Sequence, residues 1–283
     1  MRVFIPSKGR PDIISTHLLF KDNPEIDWTV VVHNAEEESY YQMNPTIPSE
    51  RIVVSGVPYN IATQRNWIQD NLIKENEWYI SLDDNIKYFS GIADREMYAV
   101  GKYDFDKESK KRLGELELAY NQHIETSRIL EIFEEMKVLG QEIGAYNCGF
   151  GTTPNFYFRA KKYRTVGYVI SKAVVRKKVG LRFNESAFSV EDYCYTAECL
   201  KNFGKVLINN YIYPEAEHYQ QGGIGTMAER LPYKNVHTKI AMEAYPDMFR
   251  IRKRKSSDNK DLAFRFISEK QVEKWRRVQG LIK

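Results

Sequence analysis

Residues 59–85, YNIATQRNWIQDNLIKENEWYISLDDN, decide the fold. Ile61, Ile68 and Leu72 recur at helical spacing, which puts them on one face and predicts a helix over residues 61–71. The run Trp78–Leu82 that follows is aromatic and apolar enough for a buried strand. The stretch therefore predicts a helix, a short turn and a strand, which is the repeating unit of an α/β sheet.

A cluster of oxygen-bearing side chains, Asp83, Asp84 and Asn85, follows at the end of that strand. Such side chains suit a hard divalent cation, and an α/β sheet has its ligand crevice at the carboxyl ends of its strands. Arg65 falls on the apolar helix face, where a charge needs a partner because an unpaired buried charge is costly. We therefore expect one site that holds a cation and an anionic ligand. Two alternatives stay open: the cluster is also a common turn composition, and Arg65 also suits a structural bridge to one of the two aspartates.

The segments before this unit continue the alternation of strands and helices. Residues 3–5, 28–32 and 51–54 are typical of strands, and residues 13–19 suit a short helix. The alternation predicts an α/β fold with a mostly parallel, Rossmann-like sheet flanked by helices. Neither glycine-rich fingerprint, of dinucleotide-binding proteins or of P-loop proteins, occurs in the sequence.

The turn after the first predicted strand, Pro6-Ser7-Lys8-Gly9-Arg10-Pro11, is a second candidate for ligand contact. Gly9 lets the backbone approach a ligand closely, and Arg10 supplies a cation that stays charged. The alternative is an ordinary turn in which Arg10 is solvated.

The charge of the chain is uneven along its 283 residues. Residues 228–283 hold 15 Lys and Arg against 7 Asp and Glu, an excess of +8. The rest of the chain holds 27 against 31, so the total of +4 comes from the C-terminal part. We therefore expect a main domain over residues 1–227 and a basic, partly helical extension over residues 228–283 that packs on or beside it.

The compartment is predicted from what the sequence lacks. Cys148, Cys194 and Cys199 form no zinc or redox spacing, and so sparse a set suits a reducing compartment. The first residues have too little apolar character for a signal peptide, and no apolar run reaches the length of a membrane span. We expect a cytoplasmic protein without a membrane partner.

Two basic regions suggest a polyanionic partner. Residues 143–184 contain nine Lys and Arg, no Asp or Glu, and several interleaved aromatic residues, a combination that suits phosphate contacts and base stacking. Residues 250–255 form a second basic run. The alternative is a hairpin with a solvated basic face. The candidate DNA-binding residues are Arg159, Lys161, Lys162, Arg176, Lys177, Arg252, Lys253 and Arg254.

Two later positions carry chemistry. Glu191 and Asp192 open a predicted helix, and a carboxylate there suits a general base. The alternative is a cap, because Ser189 with Asp192 three residues on is also a capping pattern. His218 precedes a glycine-rich run at residues 222–225 and is a candidate metal ligand, with a hydrogen-bonded core histidine as the alternative.

The order of the acidic cluster at residues 83–85, the pair Glu191-Asp192 and His218 resembles the GT-A fold glycosyltransferases, which use nucleotide-diphosphate sugars. The resemblance covers about residues 1–225 and, with the basic tail, is greatest to the phage TET-associated glycosyltransferases. Enzymes of that kind glycosylate 5-hydroxymethylcytosine in DNA.

The resemblance implies roles for single residues. Asp83, Asn85 and His218 would hold Mn²⁺ or Mg²⁺, although the family more often has a third aspartate where this chain has Asn85. Asp192 would be the catalytic base, with Glu191 in reserve. The residues implied for the nucleotide, most simply that of a UDP-sugar, are Pro6, Ser7, Arg10, Arg65, Asn66, Asp83 and Asp84.

The expected function is therefore metal-dependent transfer of a hexose to 5-hydroxymethylcytosine in bacteriophage DNA, in the host cytoplasm. Two alternatives stay open. One is a GT-A glycosyltransferase that acts on a glycan or a protein. The other is a catalytically weak nucleic-acid-binding relative, which the replacement of an aspartate by Asn85 keeps under consideration.

Overall fold

A computed structural model describes residues 1–92, 121–153, 162–216, 225, 227–253 and 260–282. Within these ranges the strands are β1 (Arg2–Pro6), β2 (Trp28–Val32), β3 (Ile52–Val54), β4 (Trp78–Leu82), β5 (Ile86–Ile92), β6 (Asn121–Ile124), β7 (Asn147–Phe150), β8 (Tyr163–Arg164), β9 (Ala173–Lys177), β10 (Leu207–Asn209), β11 (Ile212–Ala216), β12 (Phe249–Lys253) and β13 (Lys260–Phe264). The helices are α1 (Ala35–Gln42), α2 (Ile61–Leu72), α3 (Thr126–Ile143), α4 (Glu191–Phe203), α5 (Met227–Ala244) and α6 (Glu269–Val278), with short 3₁₀ helices at Thr16–Phe20, Ser49–Arg51 and Glu185–Val190.

The main sheet has eight strands in the order β3-β2-β1-β4-β9-β7-β10-β8. Six of them run in one direction, while β9 and β8 run the opposite way. The predicted α/β fold with a mostly parallel sheet is confirmed, and this architecture is consistent with a GT-A fold. The separate antiparallel sheet β11-β5-β6 and the hairpin β12-β13 were not part of the prediction.

The strand order determines where the ligand crevice is expected. From β1 the chain goes to β2 on one side, and the later strand β4 pairs with β1 on the other side. Ligands of open α/β sheets bind beyond the carboxyl ends of the strands at such a reversal. The antiparallel strand β9 pairs with β4 from Ala173 opposite Leu82, so residues 168–172 also reach this edge.

The core consists of two large apolar clusters. One lies between the sheet and α3 and includes Phe89, Phe133 and Phe150. The other joins α4 to the C-terminal part, because Tyr195 belongs to the same cluster as Phe249 of β12. Residues of the C-terminal part therefore pack against α4, and the division into a main domain and an extension at residues 227 and 228 stays a prediction.

The apolar face formed by residues 129, 132, 133, 136 and 139 predicts a helix over residues 126–139 that Gly140 closes, but helix α3 extends beyond this end. It continues to Ile143 and ends at Gly144, whose φ of 72° is left-handed. Gly140 instead lies inside the helix, where a Cβ atom would come within 2.7 Å of the Ala145 carbonyl oxygen and the Cys148 Sγ. The glycine allows close packing, so its role as a helix terminator was wrongly predicted.

Candidate active site

A cleft of about 340 Å³ lies at the carboxyl ends of β1 and β4. Its walls come from the ends of these strands, α2, residues 168–172, the start of α4 and the start of α5. The volume falls in the range of small-molecule sites, about 300–1,000 Å³. The predicted location of the site therefore coincides with a cavity in the structure.

Arg65 joins two walls of this cleft. Its side chain is only 4% exposed and donates to Asp83 Oδ1 at 2.9 Å, to Glu191 Oε1, and to the Ser171 carbonyl oxygen at 3.2 Å. The proposed bridge to Asp83 is thus present, and Glu191 is a second partner that lies 126 residues further along the chain. The charge is compensated by two carboxylates, as a buried arginine requires.

The start of α2 fixes the position of Arg65. The Asn60 side chain caps the helix by accepting from Ala62 N at 2.9 Å, and it also donates to the Glu185 carbonyl oxygen at 2.9 Å. The second contact ties α2 to the segment that precedes α4. Arg65 and Glu191 are therefore held at a defined separation by the backbone as well as by their own ion pair.

Asp84 forms a second buried ion pair that holds the β1 turn against the end of β4. Arg10 Nη1 donates to Asp84 Oδ1 at 2.6 Å, and Ser7 Oγ donates to Asp84 Oδ2 at 2.5 Å. Arg10 and Asp84 are both nearly inaccessible, and burial raises the Asp84 pKa against the opposing effect of Arg10. The alternative of a solvated Arg10 is wrong, because the guanidinium is 6% exposed.

Asp83 is the more exposed of the two carboxylates of the cluster that line the cleft. Its position deep in the cleft raises its pKa to about 6 by desolvation, although 38% of its side chain is still reached by water. Asn85 lines the same wall. His218 lies outside the described residues, and within them no group of three or more His, Cys, Asp or Glu is arranged to hold a metal. The metal ligands therefore remain predicted ones.

Glu191 and Asp192 open α4 and differ in their surroundings. Glu191 is buried, and burial together with the charge of Asp192 raises its pKa to about 8 against the effect of Arg65. Asp192 is half-buried and accepts a hydrogen bond from the Tyr168 hydroxyl. Burial raises its pKa as well. Asp192 is thus the more accessible carboxylate of the two.

The capping alternative for this helix start is wrong. Val190 occupies the N-cap position, where no side-chain cap is formed. The Ser189 side chain instead forms a hydrogen bond with α5, in which its Oγ lies 2.8 Å from His237 Nδ1. Glu191 and Asp192 therefore do not take part in a capping box at the start of α4.

An aromatic stack that the sequence did not predict supports Asp192. The rings of Tyr168 and Tyr193 lie 3.9 Å apart and 12° from parallel, and Phe264 of β13 continues the stack at 6.0 Å from Tyr193. Tyr168 uses its hydroxyl for Asp192, so the stack fixes the direction of that hydrogen bond. The only sign of this stack in the sequence is the abundance of tyrosine.

Two predicted binding residues have other roles. Arg176 is fully buried in β9, where it donates to Asn147 Oδ1 and Ser171 Oγ and lies 4.8 Å from the Tyr195 ring centroid, so its assignment to DNA binding is wrong. Asn66 is 2% exposed, exchanges hydrogen bonds with the backbone of Phe183, and is absent from the cleft lining. Its assignment to the nucleotide is replaced by a structural role.

The other DNA-binding candidates are spread over the surface. Lys162 and Lys177 lie over the rings of Tyr163 and Tyr146, and Arg252 is exposed on β12. These three stay predictions. Arg159, Lys161 and Arg254 lie outside the described residues, as does the side chain of Lys253.

Comparison with known proteins adds one positive finding. The family model described as TET-associated glycosyltransferase matches residues 1–223, which is most of the chain and includes β1, β4 and α4. No curated protein matches the chain. Among the described residues, none of the helices has the length and apolar character needed to cross a membrane.

Proposed function

The chain belongs to the TET-associated glycosyltransferases and is a transferase of that family, and we propose that it moves a sugar from a UDP-sugar to the hydroxyl of 5-hydroxymethylcytosine in phage DNA. The observation that carries this proposal is the cleft, in which Asp83, Arg65 and Asp192 meet at the carboxyl ends of the strands. The transfer requires positive charge beside the leaving phosphate and a base that accepts the proton of the acceptor hydroxyl.

In the proposed reaction Asp192 takes the proton of the acceptor hydroxyl. The acceptor oxygen forms a bond to the anomeric carbon of the sugar, while the bond from that carbon to the diphosphate oxygen breaks and leaves its electron pair on the diphosphate. The Tyr168 hydroxyl holds Asp192 Oδ2, and the half-buried position of Asp192 keeps it open to an acceptor. A single displacement of this kind inverts the anomeric centre.

The residues proposed for the donor fall into two groups. Pro6, Arg10, Arg65 and Asp84 line the cleft, so the donor is proposed to lie against them. Ser7 supports Arg10 indirectly, because it holds Asp84 at 2.5 Å. Arginine suits this position because its planar fork binds phosphate oxygens in pairs.

The cleft fits a hard divalent cation by the chemistry of its donors. Asp83 and Asn85 present carboxylate and amide oxygens on one wall, and these are the ligands that Mg²⁺ and Mn²⁺ prefer. Asp83 and Asn85 are therefore the described residues that would hold the ion, with His218 as the predicted third ligand. A bound ion would neutralise charge on the leaving diphosphate.

The direct test is a transfer assay. The protein is incubated with hydroxymethylcytosine DNA and a panel of nucleotide sugars in the presence of Mn²⁺ or Mg²⁺. The DNA is then digested, and the masses of its nucleosides are measured by mass spectrometry. A hexose added to hydroxymethylcytosine is the expected product. Transfer to a glycan or protein, with the DNA unchanged, would replace this proposal by the alternative acceptor.

Asp83→Asn is expected to abolish the Mn²⁺-dependent part of UDP binding, because it removes the charged oxygen ligand and keeps the shape. The increase in melting temperature on adding UDP with Mn²⁺ measures this, since a ligand of the folded state stabilises it. Asp70→Asn is the matched control, because Asp70 forms an exposed pair with Arg182 and is absent from the cleft lining. An Asp83→Asn protein that responds to Mn²⁺ and UDP as the parent does would contradict the metal site.

Arg250→Ala with Arg252→Ala is expected to weaken DNA binding at low salt, because both arginines are exposed on β12 and suit phosphate contacts. Removal of one phosphate contact should flatten the slope of log affinity against log salt by about 0.9, and removal of both by about 1.8. Fluorescence anisotropy at several salt concentrations measures the slope. Affinity should fall for all sequences alike, because phosphate contacts do not read bases. DNA binding that is independent of salt in the parent would contradict a DNA acceptor.

A further inference from the structure

The region matched by the family ends at residue 223, but the wall of the cleft continues beyond it. Arg230 and Lys234 of α5 and Leu262 of β13 all line the cavity. Both basic residues are half-buried. Part of the site is therefore built by the basic C-terminal part of the chain.

These two residues reverse the formal charge of the cleft lining. Without them the lining holds the cations Arg10, Arg65 and Lys172 and the carboxylates Asp83, Asp84, Glu191 and Asp192, a net charge of −1. With them the count is five cations against four carboxylates, a net charge of +1. A cleft of one sign attracts ligands of the other sign, so α5 makes the cavity suitable for an anion.

The geometry of α5 aims both side chains at the same place. Residues four positions apart lie on one helix face, and the buried positions His237 and Ala241 extend this face along the helix. Arg230 is anchored by its Nε, which donates to the Gly225 carbonyl oxygen at 2.7 Å. The hydrogen bond between Ser189 and His237 holds α5 next to the start of α4. The two cations thus face the acidic side of the cleft from a fixed position.

We propose that Arg230 and Lys234 bind phosphate oxygens of a substrate held in the cleft, from either the donor diphosphate or the phosphodiester next to the acceptor base. This inference rests on the proposed function. Arginine provides a planar pair of donors and lysine a compact charge, a combination suited to phosphate. The C-terminal part then has two roles, with β12 offering arginines to solvent and α5 completing the site.

The test is the double variant Arg230→Gln with Lys234→Gln, compared with Lys239→Gln. Lys239 lies on the same helix, is 79% exposed and pairs across the surface with Glu243, so it controls for loss of charge on α5. Exchange of the two residues, Arg230→Lys with Lys234→Arg, keeps the charge and should keep most of the binding. Equal melting temperatures of the variants would show that the fold is intact.

Two binding measurements separate the sources of phosphate. If the donor supplies it, calorimetry should show UDP affinity at least about tenfold weaker in the double variant, as expected when hydrogen bonds to charged groups are removed. If the acceptor supplies it, the salt slope of DNA binding should fall by about 1.8. If the parent binds UDP and DNA and the double variant binds both equally well, this inference alone is overturned. If the parent binds neither, the proposed function falls with it.

Discussion

Asp192→Asn should lower the rate of sugar transfer by about 100- to 10,000-fold, the range for loss of a general base. The variant keeps the shape of the side chain and its hydrogen bond to Tyr168, but it cannot take a proton from the acceptor. UDP affinity should stay near that of the parent, because Arg10 and Arg65, which are proposed to contact the donor, are unchanged. Single-turnover rates and calorimetry with UDP measure the two quantities separately.

The pH dependence of this reaction follows from the surroundings of Asp192. Burial raises the pKa of this carboxyl above its ordinary value, and a base acts only when it is ionised. The value of kcat/KM should therefore rise with pH through the raised pKa, in an acidic limb that Asp192→Asn removes. Tyr168→Phe should move the limb to higher pH, because the Tyr168 hydroxyl stabilises the ionised form. Full activity of Asp192→Asn with an unchanged limb would transfer the role of base to Glu191.

Local pattern was enough to predict where the cleft lies, at the end of β4. The helical spacing of Ile61 and Ile68 and the strand before Asp83 each depend on neighbours in the sequence, and the crevice follows from the rule for parallel strands. The partner of Arg65 depends instead on topology. Glu191 meets Arg65 only because α4 starts beside the cleft, so the sequence offered Asp83 and Asp84 as the nearby choices.

The basic residues show why composition alone misplaces function. Arg176 belongs to an acid-free stretch, but β9 turns its side chain inward, where the rings of Phe183 and Tyr195 and the oxygen of Asn147 replace water. Arg230 was counted only in the excess charge of the C-terminal part, although it lines the cleft. A count of charges does not show on which face of a strand or helix each side chain lies. That face is determined by packing against segments that are distant in the sequence.

Arg65→Met should lower the free energy of unfolding by about 3–5 kcal/mol, the range for breaking a buried ion pair from one side. This loss is expected above pH 8, where Glu191 is ionised in the parent, because the variant leaves its carboxylate, which is 7% exposed, in the core without its cation. Arg182→Gln is the matched control, because it breaks an exposed pair with Asp70 and should cost at most about 1 kcal/mol. Urea denaturation measures both.

The loss of unfolding free energy in Arg65→Met should also grow with pH. This pH dependence distinguishes the removal of an ion pair from the removal of packing. Glu191 already has a raised pKa of about 8 in the folded protein, so between its unfolded value and pH 8 the folded state binds more protons and stability falls as pH rises. Without Arg65 the folded pKa rises further, and the fall continues to higher pH. The two proteins should therefore differ least near pH 5, where Glu191 is protonated in both folded states, and most above pH 8. An equal loss of stability at pH 5 and pH 9 would mean that Arg65 stabilises the fold through its packing against Phe183, whose ring centroid lies 5.7 Å from the guanidinium carbon.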